Sequence, residues 1–332
     1  MARYDVYGLG NALLDIECEV EPAVLVELGI DKGVMTLLDE ASQNKILNHL
    51  GNCATKRSCG GSGANTIVAV SQFGGKAFYS CKVANDEPGT YYLQALLDAG
   101  VDTNLKLHPP GSGITGKCLV FVTPDADRTM NTFLGISSDL SDIELVSDEI
   151  ASSTYTYIEG YLVTGETSKQ AAITASQIAT GAGQKVALTL SDQNMAKFFR
   201  AGLLEMIGAG VDLLFANESE AFELAGTQDL AETVKYLKTI SKTFALTLGA
   251  KGSLIFDGQT LIEIDPFPVQ AIDTVGAGDM YAGGVLYGIT NGMDWATAGR
   301  LGSLASAKLV TTLGARMATA DLQSLLAEVK GI

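Results

Sequence analysis

Short apolar runs alternate with amphipathic stretches over most of the chain, and this alternation constrains the fold more than any other feature of the sequence. Apolar runs bounded by Gly, Asn, Asp or Ser are typical of buried strands, and the longer stretches between them are typical of crossover helices. Strands joined in this way form a mostly parallel sheet with helices packed on it, so the sequence predicts an α/β fold. The predicted strands are 6–10, 77–82, 155–159, 186–190, 213–216 and 243–248, and the predicted helices are 42–50, 63–73, 90–99, 168–182, 229–241, 277–289, 294–310 and 319–329.

Two segments, 12–38 and 113–133, interrupt this rhythm with β-rich runs in which polar and apolar residues alternate, and no helix is predicted within them. Such strands need only one covered face, which favours a small antiparallel sheet that could close over a ligand as a lid. We therefore predict a main domain of residues 1–11, 39–112 and 134–332 and a β-sheet lid of residues 12–38 and 113–133. The alternative is a β-extension used only for contact between subunits, and the chain is expected to be a monomer or a homodimer.

The balance of charge limits the partners that the chain can bind. With 38 acidic and 22 basic residues, the formal charge of −16 repels both nucleic acid and an anionic membrane surface. An anionic cofactor must then be held by a local device, such as the amides at a helix start or one or two fixed cations.

The five cysteines show no C-x-x-C pair, which argues against a disulfide framework or a zinc site and favours reduced thiols. No leader segment and no apolar run of membrane-spanning length is recognisable. These features predict a cytoplasmic protein.

The segment DTVGAGDMYAGG, residues 273–284, lies where an extended stretch meets a long amphipathic helix. The small residues Gly276, Ala277 and Gly278 let consecutive amides converge at the helix start, which suits a transferring phosphoryl group. Asp279 in the first turn could then take the proton of an attacking hydroxyl as a general base. The alternative is an ordinary acidic residue favoured by the helix dipole. The sequence contains neither the G-x-x-x-x-G-K-[ST] phosphate loop nor a complete dinucleotide fingerprint.

Four motifs in chain order resemble those of the ribokinase-like (phosphofructokinase-B type) carbohydrate kinases. They are CGGSGANT at 59–66, NESE at 217–220, TLGAKG at 247–252 and the 273–284 segment. The resemblance implies a three-layer α/β/α domain with a β-lid, and an enzyme that transfers the γ-phosphoryl group of ATP to an alcohol with the help of Mg²⁺.

The resemblance also assigns roles to residues of the four motifs. Substrate would be held by Gly60, Gly61, Ser62, Asn65 and Asp279. ATP would be held by Asn217, Thr247, Gly249, Gly252, Gly276 and Gly278. Asn217 and Glu220 would hold Mg²⁺ through water, and backbone carbonyls at Asp273, Val275, Thr312 and Gly314 would hold a monovalent cation such as K⁺.

Each motif also has a simpler interpretation that the residues leave open. The NESE run is a common capping pattern at a helix start, and the TLGAKG run is compatible with a β-hairpin. The glycine pair at 60–61 is also found in plain βα turns.

The acceptor is indicated by the first strand, which runs into GLGNALLDI at 8–16. This segment is similar to the opening of adenosine kinases, except that Ala12 replaces a proline. Asp15 would hold the ribose diol with support from Asn11, since a carboxylate accepts from two hydroxyls at once; the alternative is a solvent-facing strand residue. Arg128 on the lid would reach the γ-phosphate.

Tyr161, with apolar lid residues, could sandwich a purine; the lid residues considered are Leu13, Met35, Leu37 and Met130. The resemblance to adenosine kinases thus implies that the chain phosphorylates adenosine. Alternatives are a ribokinase or other sugar kinase, a broad-specificity inosine/guanosine kinase, or a nucleoside-binding regulatory protein without catalysis.

Overall fold

A computed structural model of the chain describes residues 2–51, 54–108, 110–124 and 128–331. The strands are β1 Tyr4–Leu9, β2 Leu13–Glu19, β3 Met35–Leu37, β4 Ala54–Gly60, β5 Ala77–Ser80, β6 Asp102–Thr103, β7 Thr115–Val122, β8 Arg128–Gly135, β9 Ser153–Ile158, β10 Lys185–Thr189, β11 Val211–Asn217, β12 Ser241–Thr247, β13 Ser253–Phe256 and β14 Leu261–Ile264. The helices are α1 Pro22–Leu28, α2 Glu40–Leu50, α3 Ser62–Gln72, α4 Glu87–Asp98, α5 Ser147–Ala151, α6 Glu166–Gly181, α7 Gln193–Phe198, α8 Arg200–Ile207, α9 Glu218–Ala225, α10 Leu230–Ile240, α11 Ala277–Thr290, α12 Trp295–Leu309 and α13 Thr319–Lys330.

The main sheet has nine strands in the order β14-β13-β12-β11-β10-β9-β1-β5-β6. The strands from β12 to β6 pair in parallel, while β13 and β14 add an antiparallel edge. One face of this sheet packs against α6 and its neighbours, and the other packs against α3 and α11. The predicted α/β/α architecture and the mostly parallel sheet are therefore confirmed.

A second sheet, called the lid sheet here, has five strands in the order β3-β8-β7-β2-β4. The prediction of an antiparallel lid is correct only in part, because β7–β8 and β2–β4 pair antiparallel whereas β2–β7 and β3–β8 pair in parallel, which makes the sheet mixed. The prediction that no helix lies within 12–38 is wrong, since α1 connects β2 to β3.

The lid sheet also extends beyond the residues predicted for it. Strand β4, which the sequence assigned to the main domain, pairs with β2, and β8 continues to Gly135. The outer face of the sheet is covered by α1 and α2, which pack Leu25 and Ile46 against Leu119 and Phe121.

Glycines 283 and 284 explain how α11 fits between its neighbouring helices. A Cβ on Gly284 would lie 2.8 Å from the Cα of Gly302 on α12, and a Cβ on Gly283 would lie 2.6 Å from the Cβ of Ala69 on α3. Both distances are too short for a side chain. This pair of glycines therefore serves helix packing, which in turn fixes the direction of the α11 N-terminus.

Cys18 is disulfide-bonded, so the expectation of reduced thiols is wrong at this position. Cys59, Cys81 and Cys118 are free and buried, and Cys53 lies outside the described residues. No helix in the described part of the chain is long and apolar enough to cross a lipid bilayer.

Candidate active site

A cavity of about 320 Å³ lies between the carboxyl ends of the parallel strands and the lid sheet. Ligands of open α/β sheets bind at this edge, because the loops after the strands meet there. Most of the residues that the sequence singled out line this cavity. They are Asn11, Asp15, Gly61, Ser62, Asn65, Arg128, Tyr161, Asn217, Glu220, Val275, Gly276, Ala277, Gly278, Asp279 and Gly314.

Asp279 lies in the first turn of α11, and two side chains from the start of α3 hold its carboxylate. Ser62 Oγ donates to Oδ1 at 2.7 Å, and Asn65 Nδ2 donates to Oδ2 at 3.0 Å. Burial raises the pKa of Asp279 to about 6, although these hydrogen bonds and the charge of Arg316 oppose the shift. The group is therefore ionised at neutral pH and close to the pKa that suits a general base.

Gly276 forms the N-cap of α11 with φ of +76°, a backbone conformation that L side chains rarely adopt. A Cβ there would lie 2.7 Å from the Cα of Ala315. The glycine thus allows the loop to turn sharply into the helix. The start of α11, residues 276–279, lines the cavity with its positive dipole end and amides, which is a suitable site for an anion.

Asp15 on β2 lies against the turn that precedes α3. A Cβ on Gly60 would collide with the Asp15 carboxylate, and a Cβ on Gly61, where φ is +97°, would collide with the Asn11 carbonyl oxygen. The two glycines thus allow a carboxylate and a carbonyl to approach the turn closely. Burial raises the pKa of Asp15 to about 7, although the nearby guanidinium groups of Arg316 and Arg128 oppose the shift.

Arg128 bridges the lid sheet and the loop before α11. Its Nη2 lies 3.0 Å from Asp273 Oδ2, and its Nη1 lies 3.3 Å from Glu17 Oε2. The Asp273 carboxylate also accepts from the amides of Val275 at 3.1 Å and Gly314 at 2.6 Å. A lid residue is thereby connected to both loops that border the anion site.

Asn217 and Glu220 form a capping box at the start of α9. Asn217 Oδ1 accepts from the Glu220 amide at 2.8 Å, and Glu220 Oε2 accepts from the Asn217 amide at 3.0 Å. The capping interpretation is therefore correct, yet both side chains also line the cavity. Burial raises the pKa of Glu220 to about 7.

The remaining predicted residues lie outside the main cavity. Thr247 lines an adjoining cavity of about 60 Å³ that also contacts Asn217, Glu220 and Asp279. Gly249 and Gly252 form the tight β12–β13 turn with φ of +59° and +94°, so the hairpin interpretation holds as well. Thr312 lies beyond the end of α12 and donates its hydroxyl to the Leu309 carbonyl at 2.8 Å.

Sequence reasoning assigned no role to two further residues of this site, Glu159 and Arg316. Glu159, directly after β9, accepts from Asn11 Nδ2 at 2.8 Å and from the Gly63 amide at 2.7 Å. Burial raises the pKa of Glu159 to about 7. An acidic residue at the carboxyl end of a buried strand was the signal that could have identified it.

The buried carboxylates predict an unusual dependence of stability on pH. Asp15, Glu159, Glu220 and Asp279 have folded-state pKa values of about 6 to 7, against 3.8 to 4.5 when unperturbed. Between about pH 4.5 and 7 the folded state therefore binds more protons than the unfolded state, so stability falls as pH rises, by about 1.4 kcal/mol per pH unit for each extra proton. Denaturant unfolding across this range should show the decline.

Glu159→Gln is the matched variant for this measurement, because it removes one of the four titrating groups. Its stability should decline less steeply with pH than that of the parent. Stability of the parent that rises steadily from pH 4.5 to 7 would contradict the assignment.

The fold and the site together define a class of protein. A buried carboxylate beside a glycine-bounded helix start, in a cleft under a lid sheet, is the arrangement expected of a kinase that phosphorylates an alcohol. Residues 39–321 match the family model described as pfkB family carbohydrate kinase, and the chain belongs to this family. It is accordingly an ATP-dependent carbohydrate or nucleoside kinase of a family that uses ATP with Mg²⁺.

The proteins that are similar to this chain are named after different substrates. A probable sugar kinase from Rhizobium etli CFN 42 superposes with a TM-score of 0.91 at 32% identity, covering 100% of this chain and 99% of the other. The adenosine kinase from Sinorhizobium meliloti gives 0.89 at 34% identity, covering 98% and 99%. A ribokinase from Haemophilus influenzae is 32% identical over 80% of this chain and 86% of its own length.

Proposed function

We propose that the chain is an adenosine kinase that transfers the γ-phosphoryl group of ATP to the 5′-hydroxyl of adenosine, giving AMP and ADP. The observation that carries this proposal is the juxtaposition, in one cavity, of the buried Asp15 carboxylate with an apolar wall on the lid sheet. A carboxylate suits the vicinal diol of a ribose, and an apolar wall suits the faces of a base.

The apolar wall is formed by side chains from neighbouring strands of the lid sheet. Those that line the cavity are Leu13, Met35, Leu37, Val120, Met130 and Leu134. Methionine and leucine side chains pack well against a flat ring system, and methionine adapts its shape to it. A free sugar, with hydroxyls around its ring, would leave polar groups unpaired against this wall.

In the proposed reaction Asp279 accepts the proton of the 5′-hydroxyl as its oxygen attacks the γ-phosphorus. The new O–P bond forms while the bond between the γ-phosphorus and the β–γ bridging oxygen breaks, and ADP leaves. The amides at residues 276–279 would stabilise the charge that accumulates on the transferring group. Ser62 and Asn65 keep the carboxylate in place by their two hydrogen bonds.

The residues of the site also fit the metal that the family uses. The described residues contain no cluster of three or more His, Cys, Asp or Glu side chains that could hold a metal by itself. One or two oxygen ligands with water and substrate phosphates are the usual environment of Mg²⁺, and Asn217 with Glu220 would supply them. When bound, Mg²⁺ neutralises phosphate charge. The loops at Asp273, Val275, Thr312 and Gly314 would hold a monovalent cation.

A sugar kinase is the second candidate. It is favoured by Glu159, a buried acceptor on the cavity that could bind a further hydroxyl, and by the similarity of the chain to the ribokinase and the probable sugar kinase. A sugar would use Asp15 and Glu159 and would leave the apolar wall without a partner.

A steady-state comparison of acceptors separates the two candidates. The panel consists of adenosine, inosine, guanosine, cytidine, ribose, fructose 6-phosphate and 2-keto-3-deoxygluconate, each with ATP and Mg²⁺. We expect the highest kcat/KM for adenosine, because it combines the ribose diol with a purine that lacks the polar 6-oxo group of inosine and guanosine and therefore suits the apolar wall best. A higher kcat/KM for ribose, or for any other sugar, would refute the nucleoside assignment while leaving the kinase class intact.

A further inference from the structure

We propose that Arg316 is a positioning residue for phosphoryl transfer, because its guanidinium fixes the side-chain amide of Asn65 in the orientation that donates to Asp279. This inference rests on the proposed role of Asp279 as the base. Arg316 lies in the loop between α12 and α13, which the four sequence motifs do not include.

The geometry forms a chain of two hydrogen bonds that ends on the catalytic carboxylate. Arg316 Nε donates to Asn65 Oδ1 at 2.8 Å, and Asn65 Nδ2 donates to Asp279 Oδ2 at 3.0 Å. A guanidinium can only donate, and an ionised carboxylate can only accept. The amide therefore satisfies both neighbours in one orientation only, and a flipped amide would lose both hydrogen bonds.

The charge of Arg316 acts on the same carboxylate. Several titratable or charged groups interact electrostatically with Asp279. They are Asp15, Glu159, Glu220, Tyr157, Tyr161 and Arg316. Arg316 is the one cation in this set, and it lowers the pKa of both Asp279 and Asp15. Its removal would leave Asp279 among acidic groups, and the base would then be protonated at higher pH.

Three variants separate the positioning of Asn65 from the effect of charge on Asp279. For each variant, kcat and kcat/KM with the best acceptor are measured as a function of pH. The acid limb of this profile is the fall in rate at low pH, where Asp279 becomes protonated. Arg316→Met loses both the charge and the donor, so we expect the acid limb of the profile to move to higher pH and kcat to fall roughly 10²-fold even at pH 9. Arg316→Gln keeps a donor but no charge. It should keep most of kcat at pH 9 and still show the moved limb. Arg316→Lys keeps the charge and should leave the acid limb near its parental position.

A double-mutant cycle with Asn65→Leu tests whether Arg316 acts through Asn65. At pH 9, where Asp279 is ionised in every variant, the kcat loss caused by Arg316→Met should be much smaller in the Asn65→Leu background. Arg3→Met is the control for loss of a surface arginine, since Arg3 pairs with Glu149 far from the cavity. Thermal unfolding of each variant measures its folding.

The results that overturn the inference differ from those that refute the proposed function. A parental acid limb and parental kcat in Arg316→Met and Arg316→Gln, or additive losses in the cycle, would overturn the inference. If Arg316→Met does not fold, Arg316→Lys takes its place in the cycle, because lysine keeps the charge but lacks the Nε donor; additive kcat losses with Asn65→Leu at pH 9 would then overturn the inference. A parent enzyme that phosphorylates no acceptor would instead refute the proposed function.

Discussion

Replacement of Asp279 by asparagine should reduce kcat by a factor on the order of 10²–10⁴ while nucleoside binding is largely kept, because a positioned general base contributes that much. Asparagine preserves the shape of the side chain and its Oδ1 can still accept from Ser62 Oγ, which donates to Asp279 at 2.7 Å, although its Nδ2 loses the hydrogen bond that Asp279 Oδ2 accepts from Asn65 Nδ2. The variant thus removes basicity with little change in packing. Steady-state kinetics measure kcat, and calorimetric titration with the nucleoside measures binding.

Two controls make the Asp279→Asn result informative. The cycle of Arg316 and Asn65 variants shows how far the supporting side chains contribute, and thermal unfolding shows that the variant is folded. Because burial of an ionised Asp279 destabilises the protein, the neutral variant should be at least as stable as the parent at pH 8. If Asp279→Asn turned over like the parent, Asp279 would not be the base.

Gly276→Ala should be nearly as damaging as loss of the base. The substitution places a Cβ 2.7 Å from the Cα of Ala315 and strains a backbone whose φ is +76°, so the loop must move. The amides at the start of α11 would then leave their positions around the phosphoryl group. Loss of one such donor costs roughly 10²–10³ in kcat. The expected result is a reduction of kcat in that range, measured by steady-state kinetics.

Gly183→Ala is the matched control for Gly276→Ala. Gly183 has almost the same φ of +75°, but a Cβ there would have no neighbour within 4 Å, and the residue does not line the cavity. Its strain should cost about 1–2 kcal/mol of stability with kcat unchanged. Equal kcat values for the two variants would show that the conformation of Gly276 is not needed for catalysis.

The sequence predicted the α/β fold of the main sheet because its parallel strands are short and mostly buried, and most of the connections between them contain a helix. The lid sheet was predicted incompletely for two physical reasons. Strand β4, which pairs with β2, has the sequence ATKRSCG. Few of these residues are apolar, so no alternation of polar and apolar residues indicates a strand there. Helix α1 is seven residues long and buries only Leu25, which gives it no recognisable periodicity.

The site could be predicted where its residues are neighbours in sequence. Gly276 to Asp279 and Gly60 to Asn65 form local motifs, because one turn at a helix start carries several functional groups. Glu159 and Arg316 act through contacts between residues far apart in the sequence: Glu159 contacts Asn11 across 148 positions, and Arg316 contacts Asn65 across 251 positions. No local sequence pattern indicates contacts between residues so far apart, so these two residues can be identified only from the structure.

The most direct test of the central claim is the identity of the product that the parent enzyme forms. Adenosine, γ-labelled ATP and Mg²⁺ would be incubated with the enzyme, and the labelled product would be separated and assigned by ³¹P NMR. We predict equimolar AMP and ADP, with the label on the 5′-oxygen of adenosine. Absence of AMP, together with label transferred to ribose or another sugar under the same conditions, would contradict the assignment.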